Sequence, residues 1–311
     1  MLAKSSSRKV QGISMQSVAF IGLGAMGGGM AASLAKSGAR VIAYDLAPAA
    51  LENAKANGCE SAPSVAEAVR GAQTVITMLP AGPQVREVYQ GEVAANAAPG
   101  TFLIDCSTID VETAREVGGD MAAAGFRFAD APVSGGVAAA QAGSLTFMVG
   151  CADDDFAAVE ASLKPMAKAV VRAGDRGAGQ AAKICNNMVL GVSMLAVCEA
   201  FALAERLGLA PERFFEIASQ SSGQCWSLTA YCPWPGPVPS APSNRGYEGG
   251  FLASLMLKDL KLAQAAAAGC GAATPMGAGA EALYALFNGL GHGAKDFSAV
   301  LQLLRGKLDA L

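Results

Sequence analysis

Histidine and closely spaced cysteine pairs are what this sequence lacks most. It contains one histidine, His292, and its eight cysteines are spread along the chain without a Cys-x-x-Cys pair. Zinc sites draw their ligands from clusters of these two residue types, so we expect no metal site. Scattered cysteines are typical of a reducing compartment. The sequence therefore predicts a cytoplasmic protein, or one of the mitochondrial matrix if the source is eukaryotic.

Charged residues are also scarce, at 16% of the chain, and the formal net charge is -3. Lysine and arginine are scattered along the sequence, which leaves no basic surface for nucleic acid. An uncharged apolar stretch in the second half of the chain covers residues 184–198 and contains Asn186 and Asn187. It is shorter than the roughly 20 apolar residues that span a membrane. We therefore expect neither a nucleic-acid partner nor a membrane partner.

The first 16 residues lack both acidic side chains and the apolar core of a secretory signal. They contain Lys4, Arg8, Lys9 and several serines, a composition that fits a mitochondrial leader. A flexible native extension or an added remnant ahead of Met15 fits it better. We treat residues 1–16 as a leader or extension outside the folded protein.

From Ser17 onward, apolar strand-like runs alternate with turns and amphipathic helix-like stretches. This alternation is typical of a parallel sheet with right-handed crossovers, and it predicts a Rossmann-like, doubly wound α/β fold. The predicted strands are residues 18–22, 40–45, 74–79, 101–105, 126–131 and 145–150. The predicted helices between them are residues 26–36, 65–70, 84–89, 111–124 and 153–169.

The pattern changes to helices alone after about Gly177. Residues 178–207 read as one helix of roughly 45 Å, which is long enough to join two domains. Residues 223–250 are rich in proline and glycine and predict no regular structure. Further helices are predicted at residues 211–219, 251–268, 276–288 and 297–304. We therefore predict a dinucleotide-binding Rossmann-like domain at residues 17–177 and an all-helical substrate and oligomerisation domain at residues 178–311.

A G-x-G-x-x-G motif closes the first predicted strand and opens the first predicted helix. In this motif one glycine permits the tight turn, the second lets the backbone approach a pyrophosphate, and the third lets helix and strand pack closely. The helix N-terminus then offers free N–H groups to the phosphates. The predicted pyrophosphate loop consists of Gly22, Leu23, Gly24, Ala25, Met26 and Gly27.

Asp45 ends the second predicted strand, where a carboxylate can bind the ribose hydroxyls of a dinucleotide. Such a carboxylate would repel a 2'-phosphate, and no lysine or arginine lies between Asp45 and Ala54 to neutralise one. This favours NAD over NADP. A plain surface aspartate at a strand end would give the same sequence.

A second group of residues, from Asp130 to Gly136, runs from a strand into a loop with two glycines. Backbone N–H groups at Gly135 and Gly136, together with the Ser134 hydroxyl, can bind a carboxylate. A purely structural turn has the same residues, and the pattern alone does not separate the two interpretations.

A third group lies at the start of the long helix, where Lys183 and Asn187 are four residues apart. Residues at this spacing share one helical face and can act on one ligand. A helical lysine is ordinarily a solvated surface group. With so few other acid–base side chains in the sequence, however, a buried Lys183 with a lowered pKa is the best candidate for proton transfer.

Several segments resemble the 3-hydroxyacid dehydrogenases, a family related to 6-phosphogluconate dehydrogenase, from Val18 to about Leu304. They are the phosphate loop, Leu79-Pro80, Cys106-Ser-Thr108, residues 130–136, residues 183–187 and Leu257-Lys-Asp-Leu260. Within the family, three later segments resemble members that oxidise 3-hydroxyisobutyrate. These are residues 221–226, the proline-rich loop at 231–242 and Lys295-Asp-Phe-Ser298.

The resemblance implies NAD-dependent oxidation of 3-hydroxyisobutyrate to methylmalonate semialdehyde in valine breakdown, with hydride passing to NAD and the proton to Lys183. Asn187 would orient that lysine, while Ser134, Gly135 and Gly136 would hold the substrate carboxylate. Further substrate contacts are implied for Asn186, Trp226 and Asp259. The implied lining of the NAD site is Leu79, Pro80, Gln84, Thr108 and Lys258.

Two other interpretations stay open. One is a sister reaction with serine, glycerate, 4-hydroxybutyrate or tartronate semialdehyde, although Asp45 and the Trp226 segment argue against an NADPH-dependent reductase. The other is a non-catalytic dinucleotide-binding module, against which the retained Lys183, Asn187 and Ser134 argue. Apolar helices such as residues 276–288 also favour a homo-oligomer, a dimer or tetramer, although a plain core face would look the same.

Overall fold

The computed structural model describes residues 17–311, and within them nine strands form one sheet. The predicted leader or extension at residues 1–16 lies outside the described residues. The strands are β1 Ser17–Ile21, β2 Arg40–Tyr44, β3 Glu60–Ser61, β4 Thr74–Thr77, β5 Phe102–Asp105, β6 Arg127–Asp130, β7 Val133–Ser134, β8 Leu145–Gly150 and β9 Ala167–Gly174.

Strands β1 to β6 pair in parallel in the order β3-β2-β1-β4-β5-β6. The sheet then continues with β8, which runs antiparallel to β6 and β7 and parallel to β9. The strand order reverses between β1 and β4. In doubly wound sheets, ligands bind outside the carboxyl ends of the strands at this reversal. The predicted Rossmann-like fold is confirmed.

Helices cover both faces of the sheet and bury two apolar clusters against it. One cluster joins α1, α7 and α8 to the sheet, and the other joins α3, α4 and α6 to its opposite face. This explains why strands such as β4 and β5 are buried at every position. The helices before the long one are α1 Gly27–Lys36, α2 Pro48–Ala56, α3 Val65–Val69, α4 Gly82–Val88, α5 Ala94–Asn96, α6 Val111–Ala123, α7 Gly136–Ala142 and α8 Phe156–Leu163.

The long helix α9, Ala178–Arg206, contacts the sheet near its start and the C-terminal helices along the rest of its length. A third apolar cluster surrounds its second half. The described residues after α9 form helices and loops, with one isolated strand bridge between Leu252 and Asp296. The helices are α10 Pro211–Ala218, α11 Trp226–Thr229, α12 Ala253–Cys270, α13 Pro275–Phe287 and α14 Val300–Arg305. A division into two domains at residues 177 and 178 stays a prediction.

Among the described helices, α9 alone is long and apolar enough to cross a membrane by length and composition. The sequence prediction considered only the uncharged residues 184–198 and did not identify this helix as long enough, because the apolar pattern continues on both sides of that stretch. Half of the most apolar part of α9 is buried inside the protein. Central helices of globular folds meet the same criterion.

The prediction of one helix at residues 153–169 is wrong in its second half. The chain forms α8, leaves the helix near Pro165 and enters β9 at Ala167. Proline cannot continue a helix, and the alternating exposure along β9 is that of a strand with one face toward solvent. Its pairing with β8 places it at an edge of the sheet. The sequence interpretation also missed α2, β3, β7 and α7. The proline-rich segment at residues 223–250 contains the short helix α11.

Candidate active site

The predicted pyrophosphate loop lies between β1 and α1, at the carboxyl edge of the sheet. Gly22 has a φ of +94°, and a Cβ there would overlap the carbonyl oxygen of Met78. A Cβ on Gly27 would overlap the carbonyl oxygen of Gly22, whereas Gly24 has no other atom within 4 Å of its Cβ position. Helix α1 has no side-chain cap, so its N–H groups can bind an anion. The loop therefore fits a dinucleotide.

Asp45, directly after β2, faces this loop. Its Oδ2 accepts a hydrogen bond from the Leu23 N–H at 2.6 Å, and its Oδ1 accepts one from the Ala47 N–H at 2.8 Å. The side chain is half-buried and is held in one position at the edge of the sheet. The role of Asp45 on the ribose stays a prediction.

The ends of β4 and β5 are tied by a buried network that sequence reasoning missed. The Leu79 N–H donates to the Ser107 hydroxyl at 2.8 Å, and Ser107 donates to Asp105 Oδ1 at 2.6 Å. Thr77 donates to the same oxygen at 2.7 Å. Burial raises the pKa of Asp105, although these hydrogen bonds oppose the change. The network fixes the segment that leads to Thr108.

Lys183 is the one lysine or arginine of residues 17–311 that is buried, with 7% of its surface exposed. Within that part of the chain it makes no hydrogen bond, and no carboxylate oxygen lies within 4.0 Å. Burial lowers the pKa of its ammonium, the Asp259 carboxylate opposes this, and the positive charge of Lys258 adds to it. A lysine in this setting can exchange a proton near neutral pH more readily than a surface lysine.

Asn187 lies one turn beyond Lys183 and is bound to α12. Its Nδ2 donates to Asp259 Oδ2 at 2.5 Å. The other carboxylate oxygen, Oδ1, is buried without a hydrogen bond in residues 17–311 and lies 3.6 Å from the ammonium of Lys258. Lys258 in turn donates to the carbonyl oxygen of Thr108 at 2.9 Å. The structure thus places α9, α12 and the end of β5 in direct contact.

The first turn of α9 is bound to the sheet by two residues whose contacts the sequence did not reveal. Asp130, at the end of β6, accepts hydrogen bonds from the Gly177 N–H at 2.7 Å and the Gln180 N–H at 2.9 Å. Burial raises the pKa of Asp130 to about 6. The Gln180 side chain donates to the carbonyl oxygen of Ser107 and accepts from the Ile109 N–H.

Ser134 and its two glycines follow β6 within the same part of the fold. Ser134 belongs to β7 and pairs with Thr146 of β8. Its hydroxyl has no hydrogen-bond partner among the residues that the structure describes. Gly135 and Gly136 have φ values of +136° and +71° and lead into α7. The hydroxyl and the N–H groups of this turn are free to bind an anion.

Three predicted site residues are exposed, unlike Lys183 and Asn187. Gln84 is exposed on the first turn of α4. Asn186 is exposed and donates to Asn187 Oδ1 at 3.0 Å. Trp226 is 53% exposed and stacks on Tyr231, with ring centroids 4.8 Å apart. Their predicted roles stay predictions, since none of the three is hydrogen-bonded to Lys183 within residues 17–311.

The fold and these contacts define a class of protein. A glycine-rich loop and an acidic residue suit a nicotinamide dinucleotide, and a buried lysine lies where the long helix meets the sheet. Together they describe an NAD-dependent dehydrogenase of small hydroxy acids.

Comparisons with known proteins identify the family. The NAD binding domain of 6-phosphogluconate dehydrogenase matches residues 17–174, and the NAD-binding domain of NADP-dependent 3-hydroxyisobutyrate dehydrogenase matches residues 177–304. The chain is 48% identical to the 3-hydroxyisobutyrate dehydrogenase of Pseudomonas aeruginosa, over 94% of this chain and 100% of that protein. It belongs to the 3-hydroxyisobutyrate dehydrogenase family, and its cofactor is NAD.

Two further relatives bear on the substrate. A protein of Pseudomonas aeruginosa named NAD-dependent L-serine dehydrogenase is 44% identical, over 93% of this chain and 98% of its own length. The structure of Mycobacterium tuberculosis 3-hydroxyisobutyrate dehydrogenase with L-serine matches with a TM-score of 0.90 and 46% identity, over 94% of this chain and 99% of that one. The family and fold expected from the sequence are confirmed.

Proposed function

We propose that this enzyme oxidises 3-hydroxyisobutyrate to methylmalonate semialdehyde in valine breakdown, and that Lys183 receives the proton of the substrate hydroxyl. The observation that carries the proposal is the burial of Lys183 beside Asn187, Asp259 and the Thr108 segment in a chain of this family. NAD, when bound, accepts the hydride. The protein supplies binding, orientation and the proton acceptor.

Two sets of residues would hold the cofactor. Gly22 to Gly27 and the free N–H groups of α1 would bind its pyrophosphate, and Asp45 would bind the adenosine ribose. The remaining lining is proposed to consist of Leu79, Pro80, Gln84, Thr108 and Lys258. For Thr108 and Lys258 the support is their hydrogen bond at 2.9 Å, which joins the end of β5 to α12.

Lys183 would work as a base in the oxidation direction. It must be neutral to accept a proton, and burial favours the neutral form. The amide nitrogen of Asn187 donates to Asp259, and its carbonyl oxygen accepts one hydrogen bond from Asn186. The second lone pair of that oxygen is proposed to orient the lysine or the substrate hydroxyl. The Ser134 hydroxyl and the N–H groups of Gly135 and Gly136 would bind the substrate carboxylate. Asn186 and Trp226 are proposed to complete the pocket.

L-Serine is a second candidate substrate, favoured by the two relatives whose names mention it. Serine carries an ammonium group where 3-hydroxyisobutyrate carries a methyl group. The Asp259 carboxylate acts electrostatically on Lys183, and its Oδ1 is buried without a hydrogen bond in residues 17–311, 3.6 Å from the ammonium of Lys258. It is the acidic group that we propose as a partner for the serine ammonium. Binding of a methyl group needs no such partner.

A substrate panel tests the proposal. Purified enzyme is given NAD and 3-hydroxyisobutyrate, L-serine, glycerate or 4-hydroxybutyrate, and NADH absorbance is followed. We expect the highest kcat/KM with 3-hydroxyisobutyrate. The methyl ester of that acid should be poorer by roughly 30-fold or more, because a charge-assisted contact is lost. A higher kcat/KM with L-serine would assign the second function, and no activity with any acid would contradict both.

We also propose a homo-oligomer, a dimer or tetramer, in the cytoplasm or the mitochondrial matrix. Exposed apolar side chains on the C-terminal helices, such as Met276 and Leu286, support the first part. All eight cysteines are free thiols, which supports a reducing compartment.

A further inference from the structure

The side chain of Gln180 joins the helix that carries Lys183 to the end of β5. Gln180 is fully buried. Its Nε2 donates to the carbonyl oxygen of Ser107 at 2.7 Å, and its Oε1 accepts from the Ile109 N–H at 3.1 Å. These two backbone groups lie on either side of Thr108. One amide therefore holds both ends of the segment 107–109.

The backbone of Gln180 is fixed as firmly as its side chain. Its N–H donates to Asp130 Oδ2 at 2.9 Å, and Asp130 Oδ1 accepts the Gly177 N–H. Gly179, between these two positions, lies so close to the carbonyl oxygen of Met148 that a Cβ would overlap it. The first turn of α9 is thus bound to the sheet before the helix reaches Lys183.

Lys183 follows Gln180 by three residues, so the two side chains leave the same face of α9. On the other side, Lys258 of α12 holds the carbonyl oxygen of Thr108. A shift of α9 along the sheet would move Lys183 relative to Thr108, and the Gln180 amide opposes that shift.

We propose that Gln180 is a positioning residue that sets the placement of Lys183 relative to the cofactor-lining segment 107–109. This inference rests on the proposed role of Lys183. A glutamine suits the task because its amide contains both a donor group and an acceptor oxygen, which match one carbonyl and one N–H. Leucine offers neither, and an ionised glutamate can accept from Ile109 but cannot donate to Ser107.

The test compares Gln180→Leu and Gln180→Glu with Gln302→Leu. Gln302 of α14 is a matched control, since it is a buried glutamine that donates to the Tyr247 hydroxyl and accepts from Arg305, far along the chain from the segment 107–109. For Gln180→Leu we expect kcat/KM with the best hydroxy acid to fall about tenfold to a hundredfold, mainly through kcat. NADH affinity should change by less than about threefold, because the glycine loop and Asp45 are unaltered. Gln302→Leu should lower Tm about as much as Gln180→Leu does, but it should leave kcat unchanged.

Gln180→Glu supplies a readout that a merely structural role would not move. A protonated glutamic acid again offers a donor and an acceptor, so the ratio of its kcat/KM to that of the wild type should rise as pH is lowered from 8 to 6. Wild-type kcat/KM in both Gln180 variants, or losses no larger than that of Gln302→Leu, would overturn the proposal. Retained activity in Lys183→Ala would contradict the proposed proton acceptor instead, so the two failures can be told apart.

Discussion

At the scale of single residues, the burial of Lys183 governs its chemistry. An ammonium group loses hydration when it is buried, and Asp259 lies near enough to oppose part of that cost. One oxygen of the Asp259 carboxylate, however, accepts a hydrogen bond from Asn187, and neither oxygen is hydrogen-bonded to Lys183. Because burial is the larger effect, the proton affinity of Lys183 falls below that of a free lysine.

This burial predicts the pH dependence of the reaction. Lys183 must be neutral to accept the proton, so kcat/KM for oxidation should rise with pH through its lowered pKa and then level off. For reduction of the semialdehyde the protonated lysine is needed, and kcat/KM should fall over the same interval. The measurement is kcat/KM in both directions between pH 6 and 10. Profiles that are flat, or that rise in both directions, would contradict the assignment.

Substitution of Lys183 tests the role directly. Lys183→Ala should lower kcat by about a hundredfold or more, with NADH affinity nearly unchanged, because the residue is not proposed to bind the dinucleotide. Lys183→Arg should be almost as damaging, since a guanidinium stays protonated. Lys261→Ala, which removes an exposed lysine of α12, is the matched control. Kinetics and NADH fluorescence titration distinguish loss of catalysis from loss of binding.

Asp45 is expected to determine the preference for NAD over NADP. Its carboxylate would repel a 2'-phosphate. Asp45→Asn should therefore lower the ratio of kcat/KM with NAD to kcat/KM with NADP. Removal of the repulsion is worth on the order of 1 to 3 kcal/mol, or tenfold to a hundredfold. Glu52→Gln on the neighbouring helix α2 is the control. An unaltered enzyme that uses both cofactors equally would show that Asp45 does not discriminate.

At the scale of elements, two glycines of the turn between β1 and α1 are expected to have different roles: Gly27 permits packing, and Gly24 leaves room for the cofactor. Gly27→Ala should destabilise the fold by about 2 kcal/mol or more, because its Cβ would overlap the backbone of Gly22. Gly24→Ala has open space for its Cβ and should leave Tm nearly unchanged. It should still weaken NADH binding by about tenfold or more, since the methyl group would obstruct the pyrophosphate. Equal effects of the two variants on Tm would contradict this division.

The contact between β6 and α9 predicts a pH dependence of stability. Folded Asp130 keeps its proton up to about pH 6, whereas the unfolded chain releases it near 3.8. The folded state binds more protons in this interval, so its stability should fall as pH rises from 4 to 6, by about 2 kcal/mol.

Asp130→Asn tests that pH dependence. The variant should lose the part of the pH-dependent fall in stability that Asp130 causes, while the exposed control Asp154→Asn should keep it. Other buried acids, such as Asp105, contribute to the wild-type curve, so the difference between wild type and variant is the relevant quantity. Urea unfolding at several pH values measures it. Parallel curves for wild type and Asp130→Asn would contradict the prediction.

At the scale of the whole molecule, exposed apolar side chains concentrate on the C-terminal helices. Met276 is 68% exposed and, with Met188 and Val189, lines an open apolar cavity of about 410 Å³. Light scattering after size exclusion should show a dimer or tetramer, and Met276→Glu should weaken it. Val171→Glu on β9 alters an exposed apolar residue outside this region and should not. A monomeric wild type would contradict the proposal.

Much of the fold could be predicted from the sequence, because its elements have local causes. The apolar runs of β1, β2, β4 and β5 and the glycine turn before α1 depend on neighbours in the chain. The short strand β3, the edge strand β9 and the brief helix α7 cannot be predicted from neighbouring residues in this way. Contacts with elements distant in the chain determine their structure, as pairing with β8 does for β9.

For the candidate site, the sequence by itself determined which residue types are available: Lys183 and Asn187 on one helical face, Asp45 at a strand end, and the open Ser134 turn. Only the tertiary structure decided that Lys183 is buried and that Asp259 holds Asn187, 72 residues away in the chain. The contacts of Gln180 with Ser107 and of Asp130 with α9 likewise span 73 and 50 residues. Such contacts follow from how α9 packs on the sheet, and the spacing of residues along the chain carries no record of that packing.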